Sequence, residues 1–324
     1  MEAFYGRRSV LTNYVFRRLL AVIPVIVGVI AVVFILTSIV PGDPARLMVG
    51  QRGDPATIQK LREDLGLNRP LWQQFIDFFK GVVTLDLGRS YRTRMPVIQA
   101  IAERLPITAR LALASMALAV TSGVTLGMVA ALKQNSMLDY GSMIAALIGI
   151  SAPSFWVGIM LVVLFCVQLR WIPGTGTGDG SWIYLVLPAL TLGMRPAALI
   201  ARLTRSGMLE VLGQDYIRTA RSKGLTEKAV IIGHALKNAM IPVITVVGTG
   251  MAEMLGGAIV VEKLFSLPGV GRLGIEAILN RDFAIIRGQV LFMALIFVVT
   301  NLLVDLSYPL FDPRIKYGRT WRRE

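Results

Sequence analysis

Long apolar runs separated by shorter polar segments are the dominant pattern along this chain of 324 residues. A helix needs about 20 mostly apolar residues to cross the hydrocarbon core of a bilayer. Six runs satisfy that length, at residues 16–40, 106–132, 141–168, 182–201, 241–261 and 289–311. The pattern predicts an all-α polytopic membrane protein whose six transmembrane helices occupy residues 16–311.

Glycine and proline interrupt several of these runs, for example at Gly123, Gly127 and Pro153. Membrane helices tolerate both residue types, and small residues allow neighbouring helices to approach closely. We therefore interpret these positions as packing contacts and kinks, not as ligand sites.

The composition agrees with a membrane domain. Hydrophobic residues make up 54% of the chain and charged residues 17%, whereas a soluble protein carries about 25% charged residues. The net charge of +14 raises the question of a nucleic-acid partner. The basic residues fall between the apolar runs and near the two ends, however, and this distribution favours contact with anionic lipid over nucleic acid.

Lysine and arginine are distributed unevenly between the segments that connect the spans. If residues 1–15 are cytoplasmic, the cytoplasmic segments hold 17 basic residues and the short outer loops hold five. Short cytoplasmic loops are enriched in basic residues, while a long loop such as 41–105 falls outside this rule. We predict that both termini, including the tail 312–324, and the loop 202–240 are cytoplasmic. Loops 41–105 and 262–288 are then on the outer side.

The loop 41–105 is predicted to be folded. Asp54 with the proline that follows it is typical of a helix start, with the carboxylate as N-cap. Pro70 begins a second helix. In the later outer loop, a turn at residues 268–271 precedes a short predicted helix at 273–279.

The helix after Pro70 has an apolar stripe. Trp72, Phe75, Ile76 and Phe79 share one face through their i, i+3, i+4, i+7 spacing. Such a stripe packs on the membrane domain or lies at the lipid interface. A docking surface for an external binding protein, formed by Trp72, Phe75 and Phe79, is the alternative.

The loop 202–240 has the most informative pattern. Residues 214–223 form a short predicted helix with cationic residues in its last turn, where the helix dipole favours them. Gly224 follows at the position of a left-handed C′ residue, and Thr226 can cap a second helix that runs to Met240. This helix–turn–helix elbow could transmit force from a soluble motor as a rigid unit. An interfacial connector without a partner is equally compatible with the pattern.

Four of the charged residues within the apolar runs stand out, because an ionisable group inside a span is costly and is a functional candidate. Arg110 and Asp305 lie near span ends, and Arg195 lies less than two turns from the next loop, so interfacial anchoring explains them. Of these four residues, Glu253 lies deepest within its predicted span. We expect it to face a transport pathway or a subunit interface, paired with an arginine. Arg195 and Asp305 are further candidates for that surface.

The chain offers little for catalysis or metal binding. It contains one cysteine, Cys166, and one histidine, His234. Neither an internal disulfide nor a metal cluster can be built from them, and a hydrolase would need a nucleophile with a base or a metal. We predict no catalytic site and no metal site, and we expect His234 to pack within the elbow.

Two motifs in the loop 202–240 resemble the coupling segment of binding-protein-dependent ABC importer permeases. They are Asp215-Tyr-Ile-Arg-Thr-Ala-Arg-Ser-Lys-Gly224-Leu and His234-Ala-Leu-Lys-Asn-Ala-Met-Ile-Pro242. Further motifs, in order along nearly the whole chain, resemble the B-type subunit of dipeptide, oligopeptide and nickel permeases. These are Pro41-Gly-Asp-Pro44, Asp64-Leu-Gly-Leu67, Arg69-Pro70, Asp86-Leu-Gly-Arg-Ser90, Leu187-Pro-Ala-Leu190, Phe265-Ser-Leu-Pro-Gly-Val-Gly-Arg272, Ala277-Ile-Leu-Asn-Arg-Asp282 and Asp312-Pro-Arg314.

One position departs from the general coupling motif. Where the family has Glu-Ala-Ala, this chain has Arg218-Thr219-Ala220, so the acidic residue is absent. Peptide-type members diverge similarly, which leaves the resemblance intact. Any salt bridge that the family's carboxylate would make is not expected here.

The resemblance implies a permease subunit that is not itself an enzyme. It implies a second homologous permease, two ATPase subunits and an extracytoplasmic solute-binding protein as partners. ATP and Mg²⁺ would bind the ATPase subunits, and this sequence indeed has no G-x-x-x-x-G-K-[ST] phosphate loop. The implied location is the cytoplasmic (inner) membrane of a prokaryote, and the cargo is a peptide, nickel, haem or another solute.

The coupling motif also implies a set of residues that contact the ATPase. They are Asp215, Tyr216, Arg218, Thr219, Ala220, Lys223, Gly224 and His234. The alternative function is a secondary transporter or channel that works without ATPase partners. Inverted repeats with broken helices, or a pore motif, would be expected in that class.

Overall fold

The computed structural model describes residues 2–39, 44–49 and 54–311, and within these ranges the fold is helical without a β-strand. The α-helices are α1 (Glu2–Ile39), α2 (Pro44–Val49), α3 (Pro55–Asp64), α4 (Leu71–Val83), α5 (Val97–Leu132), α6 (Met137–Ser151), α7 (Ser154–Val162), α8 (Ile183–Leu212), α9 (Asp215–Ser222), α10 (Lys237–Ala239), α11 (Ile241–Leu255), α12 (Ile259–Leu264), α13 (Val270–Leu279) and α14 (Phe283–Phe311). Residues 41–43 of the motif after the first span, and the tail 312–324, lie outside the described residues.

Four helices in the described ranges are long and apolar enough to cross a membrane alone. They are α1, α5, α8 and α14, and they correspond to the first, second, fourth and sixth predicted spans. Their bounds differ from the prediction, since α1 begins at Glu2, α5 at Val97 and α14 at Phe283, and α8 ends at Leu212. The predicted bounds followed the apolar runs, whereas the helices continue into more polar flanking turns.

The span predicted at 141–168 is sharply bent, and the kink interpreted at Pro153 is confirmed. Helices α6 and α7 meet at 105°, and the break falls at Ala152 and Pro153. Proline lacks an N–H and disfavours helical geometry in the residue before it, and Ala152 accordingly has an extended ψ of 131°. After α7 the chain widens into a π-helical turn at Val163–Gln168.

The predicted span 241–261 is also interrupted. Helix α11 ends at Leu255, and Gly257 then has a φ of +121°, which glycine adopts without a Cβ penalty. At its other end α11 meets the helical stretch Ala229–Ala239 at 55°. Six spans are obtained only if each of these two bent pairs crosses the membrane once.

Helices α5 and α8 pack closely against each other through glycines. A Cβ on Gly123 would lie 2.6 Å from the carbonyl oxygen of Ala197, and one on Gly127 would lie 2.4 Å from that of Ala201. A Cβ carbon cannot approach a backbone oxygen so closely, so both positions require glycine. The interpretation of Gly123 and Gly127 as packing contacts is confirmed.

The segment between α1 and α5 is folded, as predicted. Helix α3 begins after Asp54 and α4 begins after Pro70. The Asp54 carboxylate makes no capping hydrogen bond to the backbone, which corrects the predicted cap; it accepts from the Thr57 hydroxyl at 3.4 Å. In the later loop, α13 begins at Val270, three residues before its predicted start.

Candidate functional site

Helix α9 packs beside the C-terminal end of α8 and has one apolar and one polar face. Ile217 and Ala220 are buried in a cluster that includes Met208 of α8 and Val230 of the following segment. Arg218, between the two buried residues, is exposed. The spacing of three between the buried positions follows the helical period, so α9 is amphipathic.

A glycine turn links α9 to the second arm of the elbow. Gly224 has a φ of +77°, the left-handed conformation expected of a C′ glycine. A Cβ there would meet no atom within 4 Å, so the backbone conformation, not space, favours glycine. Across the turn, Arg221 Nε donates to Glu227 Oε1 at 2.8 Å, and Ala229 N–H donates to Thr226 Oγ1 at 3.4 Å. The ion pair therefore joins the two arms, and Thr226 caps the second arm.

The second arm differs from the regular α-helix expected up to Met240. Residues Ala229–Leu236 form a π-helix, which continues as α10 and then bends into α11. Such π-helical turns are rare and occur frequently at functional sites. Asn238 Nδ2 in this arm donates to the Tyr216 hydroxyl of α9 at 2.9 Å, so the arms touch a second time.

The residues implied to contact an ATPase fall into two groups. Those that are exposed are Asp215, Tyr216, Arg218, Thr219, Lys223, Gly224 and His234. Ala220 is 7% exposed and packs inward, so its side chain is an anchor of α9 and not a contact surface.

The exposure of His234 contradicts the expectation that it packs within the elbow. Ile217, which the sequence analysis missed, is the fully buried anchor, and its spacing from Ala220 was the available signal.

A buried ion pair joins α6 to α8 on the approach to the elbow. Asp139 is 1% exposed, and Arg205 donates to its carboxylate from Nε at 2.6 Å and from Nη2 at 2.7 Å. The Asn135 N–H also donates to this carboxylate at 3.0 Å, and the Asp139 N–H donates to Ser136 Oγ at 3.4 Å. The sequence analysis missed this pair, although serine followed three positions later by an acid resembles a capping box.

A second ion pair joins the first and last helices. Arg18 Nη1 lies 2.6 Å from Asp305 Oδ2. Asp305 was interpreted as an interfacial anchor, and its partner was not foreseen because 287 positions separate the two residues. An opposite charge lowers the cost of placing a carboxylate within a span.

Glu253 faces a cavity of about 800 Å³ between α1, α11 and α14. Arg18 and Asp305 line the same cavity, and most of its remaining lining is apolar. Glu253 is exposed and forms no ion pair with any residue that the structure describes, so the expected arginine partner is not found there. Arg195 is also exposed but lies on α8, away from this cavity.

The apolar stripe on α4 divides between two environments. Phe75 and Phe79 pack against α1, and the Phe75 ring centroid lies 5.4 Å from that of Phe34 in an edge-on arrangement. Trp72 is 61% exposed and Ile76 41% exposed. Of the three residues considered for docking, only Trp72 therefore presents most of its side chain to the surroundings.

Polar side chains cap α13 at the end of the bundle opposite to α9. Thr108 of α5 donates to the fully buried carboxylate of Glu262 at 2.7 Å, and its hydroxyl accepts from the Val270 N–H at 2.9 Å. Glu262 also accepts from the Arg272 N–H at 2.9 Å. Both N–H groups belong to the first turn of α13, where a carboxylate and a hydroxyl satisfy otherwise unpaired donors.

Two of the motifs quoted above meet at this same end. The Ser90 hydroxyl and the Tyr91 N–H, the latter at 3.2 Å, both donate to the carboxylate of Asp282. Asp282 is 5% exposed, so these hydrogen bonds are shielded from water. They connect the first loop to the turn before α14.

The fold is that of an ABC transporter permease. The chain resembles the MetNI methionine ABC transporter in its inward-facing conformations, with a TM-score of 0.53 and 13% identity. The match covers 66% of this chain and 97% of that one. At this identity the likeness shows the fold alone.

The family follows from the sequence. The family described as binding-protein-dependent transport system inner membrane component matches residues 123–317, and the N-terminal region of such membrane components matches residues 11–112. The chain belongs to this family.

Two named relatives are similar in sequence to this chain over almost their whole length. The dipeptide transport system permease protein DppB of Alkalihalophilus pseudofirmus is 44% identical over 330 residues, covering 94% of this chain and 99% of that protein. The glutathione transport system permease protein GsiC of Pectobacterium atrosepticum is 43% identical over 305 residues, covering 94% and 99%. The chain is therefore a membrane-embedded permease component of an ABC importer, and the predicted family is confirmed.

Proposed function

We propose that this chain imports short peptides across the cytoplasmic membrane of a prokaryote as one half of a permease pair. The names of its relatives support this cargo, because a dipeptide and glutathione are both short peptides. The solute-binding protein that delivers the cargo would make much of the selection among peptides.

The bundle end that contains α9 is proposed to face the cytoplasm. The 17 basic residues assigned to that side, against five in the short loops of the other side, support this orientation. Both termini are then cytoplasmic, and α3, α4 and α13 face the outer side.

The amphipathic character of α9 is the observation that best supports coupling to ATP hydrolysis. Ile217 fixes its apolar face to the bundle, while Asp215 and Arg218 on its polar face have 97% and 74% of their side chains exposed. A helix held on one face and free on the other can pass the movement of a soluble subunit to the spans. The Arg221–Glu227 ion pair and the turn at Gly224 would transmit that movement into α11.

The two ATPase subunits of the proposed complex would bind ATP and Mg²⁺ and hydrolyse ATP. Each ATPase subunit would contact the elbow of one permease. Because two ATPase subunits need two elbows, this chain would pair with a second homologous permease. Nucleotide binding would then bias two arrangements of the spans.

The cavity around Glu253 is proposed to face the transport pathway or the second permease. An unpaired carboxylate in a membrane span is costly unless it meets water or a cation. A water-filled pathway, or a cationic side chain of the second permease, would satisfy Glu253. The exposed Arg195 on α8 is a second candidate for such a contact.

The binding protein is proposed to dock at the opposite end, next to α4. Trp72 supports this assignment because it is a large aromatic side chain that is exposed beside a packed helix. Exposed aromatic residues are enriched in protein interfaces.

Charge reversal on the polar face of α9 tests the proposed contact. We expect Arg218→Glu to reduce co-purification with the ATPase subunits and to lower their transport-coupled ATP turnover by about tenfold, since one contact to a charged group is lost and reversed. Lys60→Glu on α3 is the matched control, because Lys60 is exposed at the other end of the bundle. Equal co-purification of both variants with the ATPases would refute the assignment of α9.

A further inference from the structure

Arg287 is a largely enclosed arginine without an acceptor in the described chain. It lies four residues after the start of α14, one turn inside a membrane-spanning helix. Its Nε is buried and finds no hydrogen-bond partner, and across residues 2–39, 44–49 and 54–311 no carboxylate pairs with its guanidinium. The guanidinium carbon lies 5.2 Å from the centroid of the Phe78 ring. A guanidinium has five N–H donors, and unmade hydrogen bonds of a buried donor are costly.

The guanidinium borders a polar cavity of about 530 Å³. The other charged residues around this cavity are Arg69, Arg89, Arg94, Asp64, Asp77 and Asp86. Asp77 is paired with Arg69 at 3.0 Å, and the Asp86 carboxylate accepts from the Gly88 N–H at 3.1 Å. Four arginines and three aspartates line the cavity, and Arg287 forms an ion pair with none of these aspartates.

Tyr91, which also lines the cavity, does not provide that counter-charge. Burial raises the pKa of its hydroxyl above the usual range, and the nearby Arg287 only partly opposes this shift. The phenol therefore stays protonated and neutral at physiological pH. A molecule bound in the cavity would supply the negative charge that no described residue supplies through an ion pair.

The position of the cavity indicates which molecule this is. Its wall α4 and the residues that follow α4 have exposed aliphatic side chains, with Leu71 64%, and Val83 and Leu85 each 67% exposed. Exposed aliphatic residues on an amphipathic helix are typical of the membrane interface. A guanidinium one turn inside a span and beside such a helix lies at the depth of lipid headgroups.

We propose that this cavity binds the phosphate of a phospholipid headgroup, with Arg287 as its principal ligand. Guanidinium groups form paired, charge-assisted hydrogen bonds to phosphate oxygens. The lipid would connect α4 to α14, since Phe78 and Arg287 border the same cavity, and its acyl chains would lie along the exposed apolar surface. This inference goes beyond the transport role and does not depend on the cargo.

Lipid-dependent thermal unfolding tests the proposal on the full chain purified with its accompanying subunits. Phosphatidylglycerol is titrated into delipidated samples of the wild type, Arg287→Gln and Arg281→Gln, and the midpoint Tm is followed. Arg281 is the matched control because it is an exposed arginine at the same end of the bundle that does not line the cavity. We expect Arg287→Gln to need about tenfold or more lipid for the same rise in Tm, and Arg281→Gln to match the wild type.

Three further measurements separate the source of the anion from a general effect on folding. Without lipid, Arg287→Gln should unfold at the wild-type Tm or above it, because an uncompensated charge has been removed. A glycosyl diacylglycerol with the same acyl chains but no phosphate should not distinguish the three proteins. Inorganic phosphate and an acidic dipeptide should leave the Tm of the wild type unchanged. Equal lipid dependence of wild type and Arg287→Gln, or a full Tm rise with phosphate or dipeptide alone, would overturn the proposal.

Discussion

Gly224 holds the turn after α9 in a left-handed conformation with a φ of +77°. A β-branched residue in this conformation costs about 1–2 kcal/mol, whereas asparagine tolerates it better. We predict that Gly224→Val reduces ATP-coupled uptake in vesicles by about tenfold while the chain still inserts into the membrane. Gly224→Asn should retain most of the uptake, because a Cβ meets no neighbouring atom. Wild-type uptake in Gly224→Val would show that the turn does not transmit force.

Residue positions that follow local rules could be predicted from the sequence, and those that depend on distant contacts could not. Gly224 and Thr226 have the conformation and the cap that helix-end chemistry predicts. The Arg18–Asp305 pair joins residues at opposite ends of the chain, so no local pattern reveals it. His234 was expected to pack within the elbow because a lone histidine cannot form a metal site, and its exposure depends on how the second arm turns.

At the level of elements, helix α13 depends on a cap that α5 and α12 provide. The Thr108 hydroxyl both donates to Glu262 and accepts from the Val270 N–H. Thr108→Val removes it and leaves buried polar groups unpaired, at a cost of about 2 kcal/mol. We predict a clearly lower Tm for Thr108→Val than for Thr108→Ser, which keeps the hydroxyl, in detergent-solubilised protein. Equal Tm values for the two variants would contradict the capping role.

Helix existence was predictable from hydropathy, but helix direction was not. The four unbroken spans follow from apolar length, and their ends extend because flanking turns remain helical after the apolar run stops. The 105° bend between α6 and α7 has a local cause in Pro153, whose effect on Ala152 is a known backbone rule. The 55° bend before α11 likewise has a proline beside it, Pro242 in the first turn of α11. The π-helical second arm packs against α8 and α9, and sequence periodicity does not encode it.

Across the whole molecule, an amphipathic elbow lies at one end of the bundle, and α13, capped by Thr108 and Glu262, lies at the other. The bent pairs would also suit a secondary transporter, whose broken helices line its substrate site. Family membership and the two-faced α9 favour an ATP-driven mechanism instead. The energy source therefore distinguishes the two mechanisms most directly.

Uptake by reconstituted vesicles measures that energy source. The chain is reconstituted with its second permease and ATPase subunits, with ATP on the ATPase side and a binding protein loaded with labelled dipeptide on the other. We predict uptake that requires ATP, the ATPase subunits and the binding protein, and that continues when proton and sodium gradients are collapsed. Dipeptide uptake by the chain without ATPase subunits, driven by an ion gradient, would contradict the proposed mechanism.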